Sequence, residues 1–120
     1  MRCFCGYNII TFNYKNMNIF KRIKAAVRYR KAVKMADKAY RKTGVRKYVL
    51  PLDDKKKTLL VLDRYNMRIY KRKGYMSQKV SVLALEKECF YCTPYANGTG
   101  LLPKSVVDLK KKQYLAWFAS

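Results

Sequence analysis

The sequence predicts an α+β fold on the strength of three observations. Apolar residues recur at steps of three and four over residues 18–43, which is the helical period. Two short β-prone runs, 47–52 and 57–62, flank the polar turn 53–56 and indicate a hairpin. Further helix start and stop signals follow the hairpin. We therefore expect a long basic N-terminal helix, a two-stranded β-hairpin and two or three short helices.

Residues 18–43 form the clearest predicted element. Asn16 or Asn18 suits its N-cap, and Gly44 suits the left-handed position after its last turn. The expected apolar stripe consists of Ile19, Ile23, Ala26, Tyr29, Val33, Ala36 and Tyr40. A basic stripe of the same period, turned toward the opposite face, consists of Lys21, Lys24, Arg28, Lys31, Lys34, Lys38 and Lys42.

Proline, aspartate and glycine mark the next two elements. Pro51 cannot donate to a strand ladder, so the first hairpin strand is expected at a sheet edge. Asp63 as N-cap and Gly74 after the last turn favour a short helix over 63–74. A continued hairpin is the alternative, but it lacks an Asn-Gly turn.

Two more helices are expected in the C-terminal part. One begins at Ser81 and ends before Pro94. Its apolar face would carry Val82, Leu85, Cys89 and Cys92. The other runs from 104 or 105 to Phe118. It is expected to turn Lys110, Lys111 and Lys112 outward and Leu109, Tyr114, Trp117 and Phe118 in part inward.

The net charge indicates a polyanionic partner. The 120 residues carry 28 Lys and Arg against 7 Asp and Glu, a formal charge of +21. Such self-repulsion is relieved by bound phosphates, so nucleic acid is the first expectation. An anionic membrane surface, an acidic protein surface and a merely solubilising surface are the alternatives. Residues 17–120 are expected to form one small basic domain, and 1–16 a flexible arm or an upstream extension before Met17.

The residue types that are missing argue against an enzyme. The chain has no histidine, which excludes serine–histidine and cysteine–histidine nucleophile systems. It has no phosphate loop and no credible carboxylate pair, so we expect no catalytic residue and no cofactor. No apolar run approaches the ~20 residues that span a bilayer, and no signal peptide is recognisable. The expected location is the cytoplasm of a host cell or the interior of a virion.

Two basic regions are the candidate nucleic-acid-binding sites. The first is the stripe of the long helix, to which Arg30 and Arg41 add bidentate donors. The second interleaves tyrosines, which stack on single-stranded bases, with cations. Its cations are Arg64, Arg68, Lys71, Arg72 and Lys73, and its tyrosines are Tyr65, Tyr70 and Tyr75. Partly buried tyrosines on an ordinary surface helix are the alternative interpretation.

Four cysteines form a C-x-C pair, Cys3 and Cys5, and a C-x-x-C pair, Cys89 and Cys92. Four thiolates suit a structural zinc ion, and a C-x-x-C pair suits redox chemistry. The favoured interpretation is buried thiols without a metal, because Cys89 and Cys92 fall on a predicted apolar face and free cysteine is commonly buried.

Three stretches of the sequence carry a resemblance to a known group. They are residues 23–37, residues 62–66 followed by 71–75, and residues 88–94 with Asn97-Gly98. Together they resemble small basic proteins of crAss-like tailed phages of gut Bacteroides, over most of the chain from Met17. The resemblance implies a phage setting and transfers no site residue.

Two functional hypotheses follow from the sequence. The first is an accessory protein that binds nucleic acid through its phosphates, without strong sequence specificity, and is packaged inside the virion. The second is a structural protein that docks on an acidic protein surface in a phage particle or assembly.

Overall fold

A three-stranded antiparallel sheet lies between two pairs of helices in the computed structural model, which describes residues 18–120. The order is α1 (Ile19–Thr43), β1 (Tyr48–Asp53), β2 (Thr58–Leu62), α2 (Arg64–Arg72), α3 (Val82–Glu88), β3 (Tyr91–Cys92) and α4 (Lys104–Ala119). The predicted α+β class, the long first helix and the hairpin are confirmed. The two-stranded sheet is corrected to three strands, because β3 joins the hairpin.

The two faces of the sheet build two separate cores. Successive strand side chains point to opposite faces, so β1 sends Tyr48 and Leu50 to one core and Val49 to the other. Met67 of α2 and Leu85 of α3 join the first core. Side chains of α1 and α4 join the second. Helices α1 and α4 therefore cover one face of the sheet, and α2 and α3 cover the other.

Helix α1 begins and ends where its caps predict. The Asn18 side chain accepts a hydrogen bond from the Lys21 backbone N–H at 2.8 Å, and Gly44 is left-handed with φ 70°. The predicted apolar stripe is partly wrong. Ala25 is buried, and a residue two positions away lies about 200° around the helix, so Ile23 is 55 % exposed. Small alanines, rather than the isoleucines of the first turns, form the contact with the sheet.

β1 is the central strand, so the expectation that it lies at an edge is wrong. It pairs with β2 along its length, whereas β3 reaches only Tyr48 and Val49. Pro51 lies beyond the end of β3 and next to a shift in the β1–β2 register. A residue without an N–H is tolerated there, because no third strand needs it as a donor.

Helix α2 forms as predicted, whereas α3 is shorter than expected. The Asp63 side chain caps α2 by accepting from the Asn66 N–H at 2.7 Å. Helix α3 ends at Glu88 rather than continuing to Cys92. The chain beyond it pairs with β1 instead: the Phe90 N–H donates to the Val49 carbonyl at 2.9 Å. A tertiary partner thus overrides the local helical pattern.

Helix α4 is rotated relative to its predicted orientation. Tyr114, Trp117 and Phe118 are buried, as expected. Lys110, predicted to point outward, is only 4 % exposed, while Leu109 is 48 % exposed. Lys110 precedes Tyr114 by four residues and Trp117 by seven, so all three side chains share one face. The helical phase of the aromatic residues therefore decides the orientation, and the lysine is carried inward.

Candidate functional site

The predicted basic stripe of α1 is largely open to solvent. Six of its seven members are exposed: Lys21, Lys24, Lys31, Lys34, Lys38 and Lys42. Arg28 is different, because its Nη1 donates to the carbonyl oxygens of Lys56 at 2.8 Å and Lys57 at 3.3 Å. Its guanidinium also lies 5.8 Å from the centre of the Phe118 ring. Arg28 therefore ties α1 to the β1–β2 turn and is a structural residue first.

The cations concentrate in the C-terminal half of α1, which we call the basic half (residues 30–42). Its cations are Arg30, Lys31, Lys34, Lys38, Arg41 and Lys42, all exposed. Its single acid, Asp37, accepts a hydrogen bond from the Tyr91 hydroxyl at 2.8 Å. Within residues 18–120 no cation of α1 is joined to a carboxylate in an ion pair. This surface therefore presents uncompensated positive charge.

The first turns of α1 present a different surface. Ile19, Phe20 and Ile23 are 61 %, 79 % and 55 % exposed. Their side chains begin the same helix that ends in the basic half. The solvent side of α1 therefore mixes apolar side chains with exposed cations in its first turns, whereas the basic half is richer in cations.

The second predicted region lies on α2, on the other side of the sheet. Arg64, Arg68, Arg72 and Lys73 are exposed, and Lys71 is half-buried. Tyr65 and Tyr75 are each 69 % exposed, so their rings are accessible. Tyr70 packs against the first core and meets Tyr75 edge-to-face at 5.8 Å. Because the sheet separates α1 from α2, the two basic regions do not form one continuous surface.

Within residues 18–120 three other cations are buried, and none of them was among the predicted site residues. Lys47 pairs with Asp63, with Nζ 2.7 Å from Oδ2. Lys110 donates to the carbonyl oxygens of Glu86 at 2.8 Å and Cys89 at 3.0 Å. Arg46 donates from Nη2 to the Cys92 sulfur at 2.9 Å. A signal existed for Lys110 in the spacing of the α4 aromatics, but none existed for Arg46, which lies between α1 and β1.

Cys89 and Cys92 are free thiols, and both are buried. A hydrogen bond from Cys89 lowers the pKa of Cys92 to about 6; burial opposes this shift, and Arg46 reinforces it. The same hydrogen bond, with burial, raises the pKa of Cys89. Cys3 and Cys5 lie outside the described residues, and residues 18–120 contain no group of three or more metal-binding side chains. The four-cysteine zinc site, the alternative to buried thiols, therefore stays untested.

A glycine allows the loop 95–100 to pack tightly over Arg46. The Tyr95 ring centre lies 4.2 Å from the Arg46 guanidinium carbon. Gly100 has φ 78°, and a Cβ there would collide with Arg46 and lie 2.9 Å from the Tyr95 ring. Arg46 has no room to retreat, because it is 5 % exposed and held by Cys92.

We expect Gly100→Ala to lower the free energy of unfolding by about 2–4 kcal/mol, from left-handed strain plus overpacking. Gly98→Ala is the matched control, since Gly98 has φ 81° and no atom within 4 Å of an added Cβ. The control should lose only the strain, about 1 kcal/mol. Urea denaturation followed by circular dichroism measures both variants. Equal losses would show that loop packing on Arg46 contributes nothing.

Comparisons with known proteins gave no match to a family, to a curated protein or to a solved structure. None of the helices in the described part of the chain is long and apolar enough to cross a bilayer. A function is therefore inferred from the chemistry of these surfaces.

Proposed function

We propose that the protein binds nucleic acid through its phosphate groups, using the basic half of α1, without strong sequence specificity. The observation that carries this proposal is the row of exposed cations over residues 30–42 without an ion-pair partner in the described chain. A phage setting, with the protein packaged beside the genome inside a virion, is part of the proposal and depends on the sequence resemblance. The proposal includes no catalytic step.

The arrangement of these cations suits a phosphate backbone. Lys31, Lys34, Lys38 and Arg41 follow at steps of three and four, so they share one face over about 15 Å of helix. Each lysine is a mobile point charge, which neutralises a phosphate without reading a base edge. Each phosphate contact releases condensed counterions, which makes the affinity steeply dependent on salt. Such a surface gives affinity with little discrimination between sequences.

The test compares two triple variants that remove the same charge from different places. The first replaces Lys31, Lys34 and Lys38 by glutamine, and the control replaces the exposed Lys79, Lys87 and Lys104. Binding to a labelled DNA duplex and to a labelled RNA is followed by fluorescence anisotropy between about 50 and 200 mM salt. On duplex DNA the slope of log affinity against log salt should fall by about 2.7 for the first variant, at ~0.9 per lost contact.

The control variant should retain most of that slope, because its lysines lie outside α1. If both triple variants lost the same amount of slope, the total charge of the protein, and not the basic half of α1, would determine binding. A wild-type affinity that does not change with salt would overturn the proposal altogether.

One observation favours docking on an acidic protein surface as a second candidate. An exposed aromatic, Phe20, and two exposed isoleucines lie among the exposed cations of the first turns of α1, on the same helix as the basic half. An apolar centre beside a charged rim is typical of protein interfaces. Under this candidate, nuclease treatment of the assembled particle leaves the protein attached. Under the first candidate, nuclease treatment releases it.

A further inference from the structure

Two buried cations lie against the two buried thiols. Arg46 Nη2 is 2.9 Å from the Cys92 sulfur, and Lys110 Nζ is 3.6 Å from the Cys89 sulfur. Arg46 and Lys110 are only 5 % and 4 % exposed, so bulk water solvates neither of the two charges. Among residues 18–120, the carboxylate in contact is Glu86, 4.0 Å from Arg46 Nη1.

The charge balance of this cluster is incomplete when both thiols are protonated. Two cations then face one carboxylate, and an uncompensated buried charge is costly. An ionised Cys92 gives Arg46 a second anion in direct contact. Lys110 is held in part by carbonyl oxygens at the end of α3. Two further titratable neighbours, Tyr48 and Tyr95, direct their hydroxyls to Glu86. Tyr29 and Tyr91 donate theirs to the Phe90 carbonyl and to Asp37.

The chain brings the two sulfurs to the same side. Cys89 ends α3 and Cys92 lies in β3, yet both belong to the first core, whereas Phe90 and Tyr91 belong to the second. The bend at residue 90 therefore turns both cysteines in one direction, into the first core, where the Cys89 thiol donates to the Glu86 carbonyl at 3.6 Å. This is the placement that a pair of reacting thiols requires.

We propose that Cys92 and Cys89 form a peroxide-reactive pair, in which Cys92 is the attacking thiolate and Cys89 the resolving thiol. The geometry assigns Arg46 as the positioning residue, because it holds the Cys92 sulfur. The pair lies on the α2–α3 side of the sheet, so this proposal does not depend on binding of nucleic acid by α1.

The reaction balances in two steps with hydrogen peroxide as the oxidant. The Cys92 sulfur attacks one peroxide oxygen, so an S–O bond forms, the O–O bond breaks, and hydroxide leaves and takes a proton. The Cys89 sulfur then attacks the sulfenic sulfur, so the S–S bond forms and the S–O bond breaks. The departing oxygen leaves as water with the Cys89 proton. Two thiols lose two electrons, and a dithiol reductant restores them by exchange.

The loop over Arg46 provides a route for a small oxidant. Residues 96–100 are exposed, and the loop is anchored by the Tyr40 hydroxyl, which donates to the Tyr95 carbonyl at 2.8 Å. Tyr95 also contacts Glu86 through its hydroxyl. The Tyr95 ring covers Arg46, which in turn contacts the Cys92 sulfur, so a peroxide molecule would reach that sulfur when the loop opens.

The experiment uses the full chain with Cys3 and Cys5 replaced by serine in every sample, so that only the pair reacts. Hydrogen peroxide is added, and intact mass with peptide mapping follows the products. We expect a Cys89–Cys92 disulfide that a dithiol reverses. In the Cys89→Ser variant we expect a sulfenic acid on Cys92 that dimedone traps, and in Cys92→Ser we expect neither product.

The rate at low pH separates an activated thiolate from an ordinary one. A pKa of about 6 instead of ~8.5 raises the thiolate fraction at pH 5 about 300-fold, and the accompanying loss of nucleophilicity leaves about a 20-fold gain. In the protein that retains Cys89, the Cys92 thiol should therefore be oxidised about 20-fold faster at pH 5 than Cys92 in an unstructured peptide of residues 86–95 that carries Cys89→Ser. Arg46→Gln, shown by circular dichroism to be folded, should move the midpoint of the pH–rate profile upward.

Two results would overturn the proposal. One is a folded protein whose thiols stay reduced at peroxide concentrations that oxidise the peptide. The other is a Cys92 that reacts no faster than the peptide cysteine at pH 5. The first result would identify Cys89 and Cys92 as inert core thiols, and the second would show that the fold does not activate Cys92.

Discussion

Replacing Trp117 by alanine is expected to lower the free energy of unfolding by about 3–5 kcal/mol. Trp117 is fully buried and packs against Phe90 with ring centres 5.5 Å apart. Its Nε1 donates to Asp54 Oδ1 at 2.9 Å, and the Lys57 ammonium lies 5.0 Å from the ring centre. The change removes a large apolar volume and leaves a cavity between α4 and the sheet. Urea denaturation must be followed by circular dichroism, because Trp117 is the sole tryptophan.

A leucine on the same helix provides the control for this prediction. Leu109 is 48 % exposed, so Leu109→Ala should cost only about 0.5 kcal/mol. Trp117→Phe keeps an aromatic ring but removes the hydrogen bond to Asp54. Its loss in free energy of unfolding should lie between those of Trp117→Ala and Leu109→Ala. Equal midpoints for Trp117→Ala and Leu109→Ala would contradict the assignment of Trp117 to the centre of the core.

Local signals were sufficient to predict the helices whose ends are set by their own residues. The Asn18 and Asp63 side chains cap α1 and α2 through hydrogen bonds to backbone N–H groups three positions later. Such capping residues can be recognised in the sequence alone. Gly44 and Gly74 adopt positive φ just beyond these helices, where glycine is favoured. These features depend on neighbours in the chain and on no distant contact.

Strand β3 could not be predicted, because its partner is distant in sequence. Tyr91 and Cys92 pair with Val49 and Tyr48, more than 40 positions earlier. The spacing of Leu85, Cys89 and Cys92 fits a helix equally well, and a two-residue strand leaves no pattern of its own. Only the pairing with β1 decides between the two structures.

The candidate sites also divide into features that depend on neighbouring residues and features that depend on distant contacts. Exposure of the α1 lysines follows from helical period, so most of that stripe was predictable. The inward position of Arg46 depends on Cys92, Glu86 and Tyr95, which come from β3, α3 and the following loop. A count of charges treats Arg46 and Lys31 alike, whereas the fold buries one against a thiol and leaves the other in water.

Asp63→Ala is expected to destabilise the protein by about 3–5 kcal/mol, because Asp63 has two roles at once. Its Oδ1 caps α2 through the Asn66 N–H, and its Oδ2 accepts from the Lys47 ammonium at 2.7 Å. Lys47 is 6 % exposed, so the alanine variant leaves a buried cation without an anion. The capping control is Ser81→Ala, where Ser81 Oγ accepts only the Ala84 N–H at 3.1 Å and the loss should be about 1 kcal/mol.

The double variant and the pH dependence separate the ion pair from the cap. Lys47→Met combined with Asp63→Ala removes the orphaned cation, so it should be more stable than Asp63→Ala alone. Burial acts to raise the pKa of Asp63, but the Asn66 N–H and Lys47 outweigh it and hold that pKa below its usual value. Stability from Asp63 is therefore complete above the unfolded pKa of ~3.9 and is lost as the pH falls through the lower folded value. In urea titrations the wild type should lose more stability in acid than Asp63→Ala, which keeps the other partnered carboxylates. An equal acid loss in the two proteins, or a double variant no more stable than Asp63→Ala, would place the energy in the cap alone.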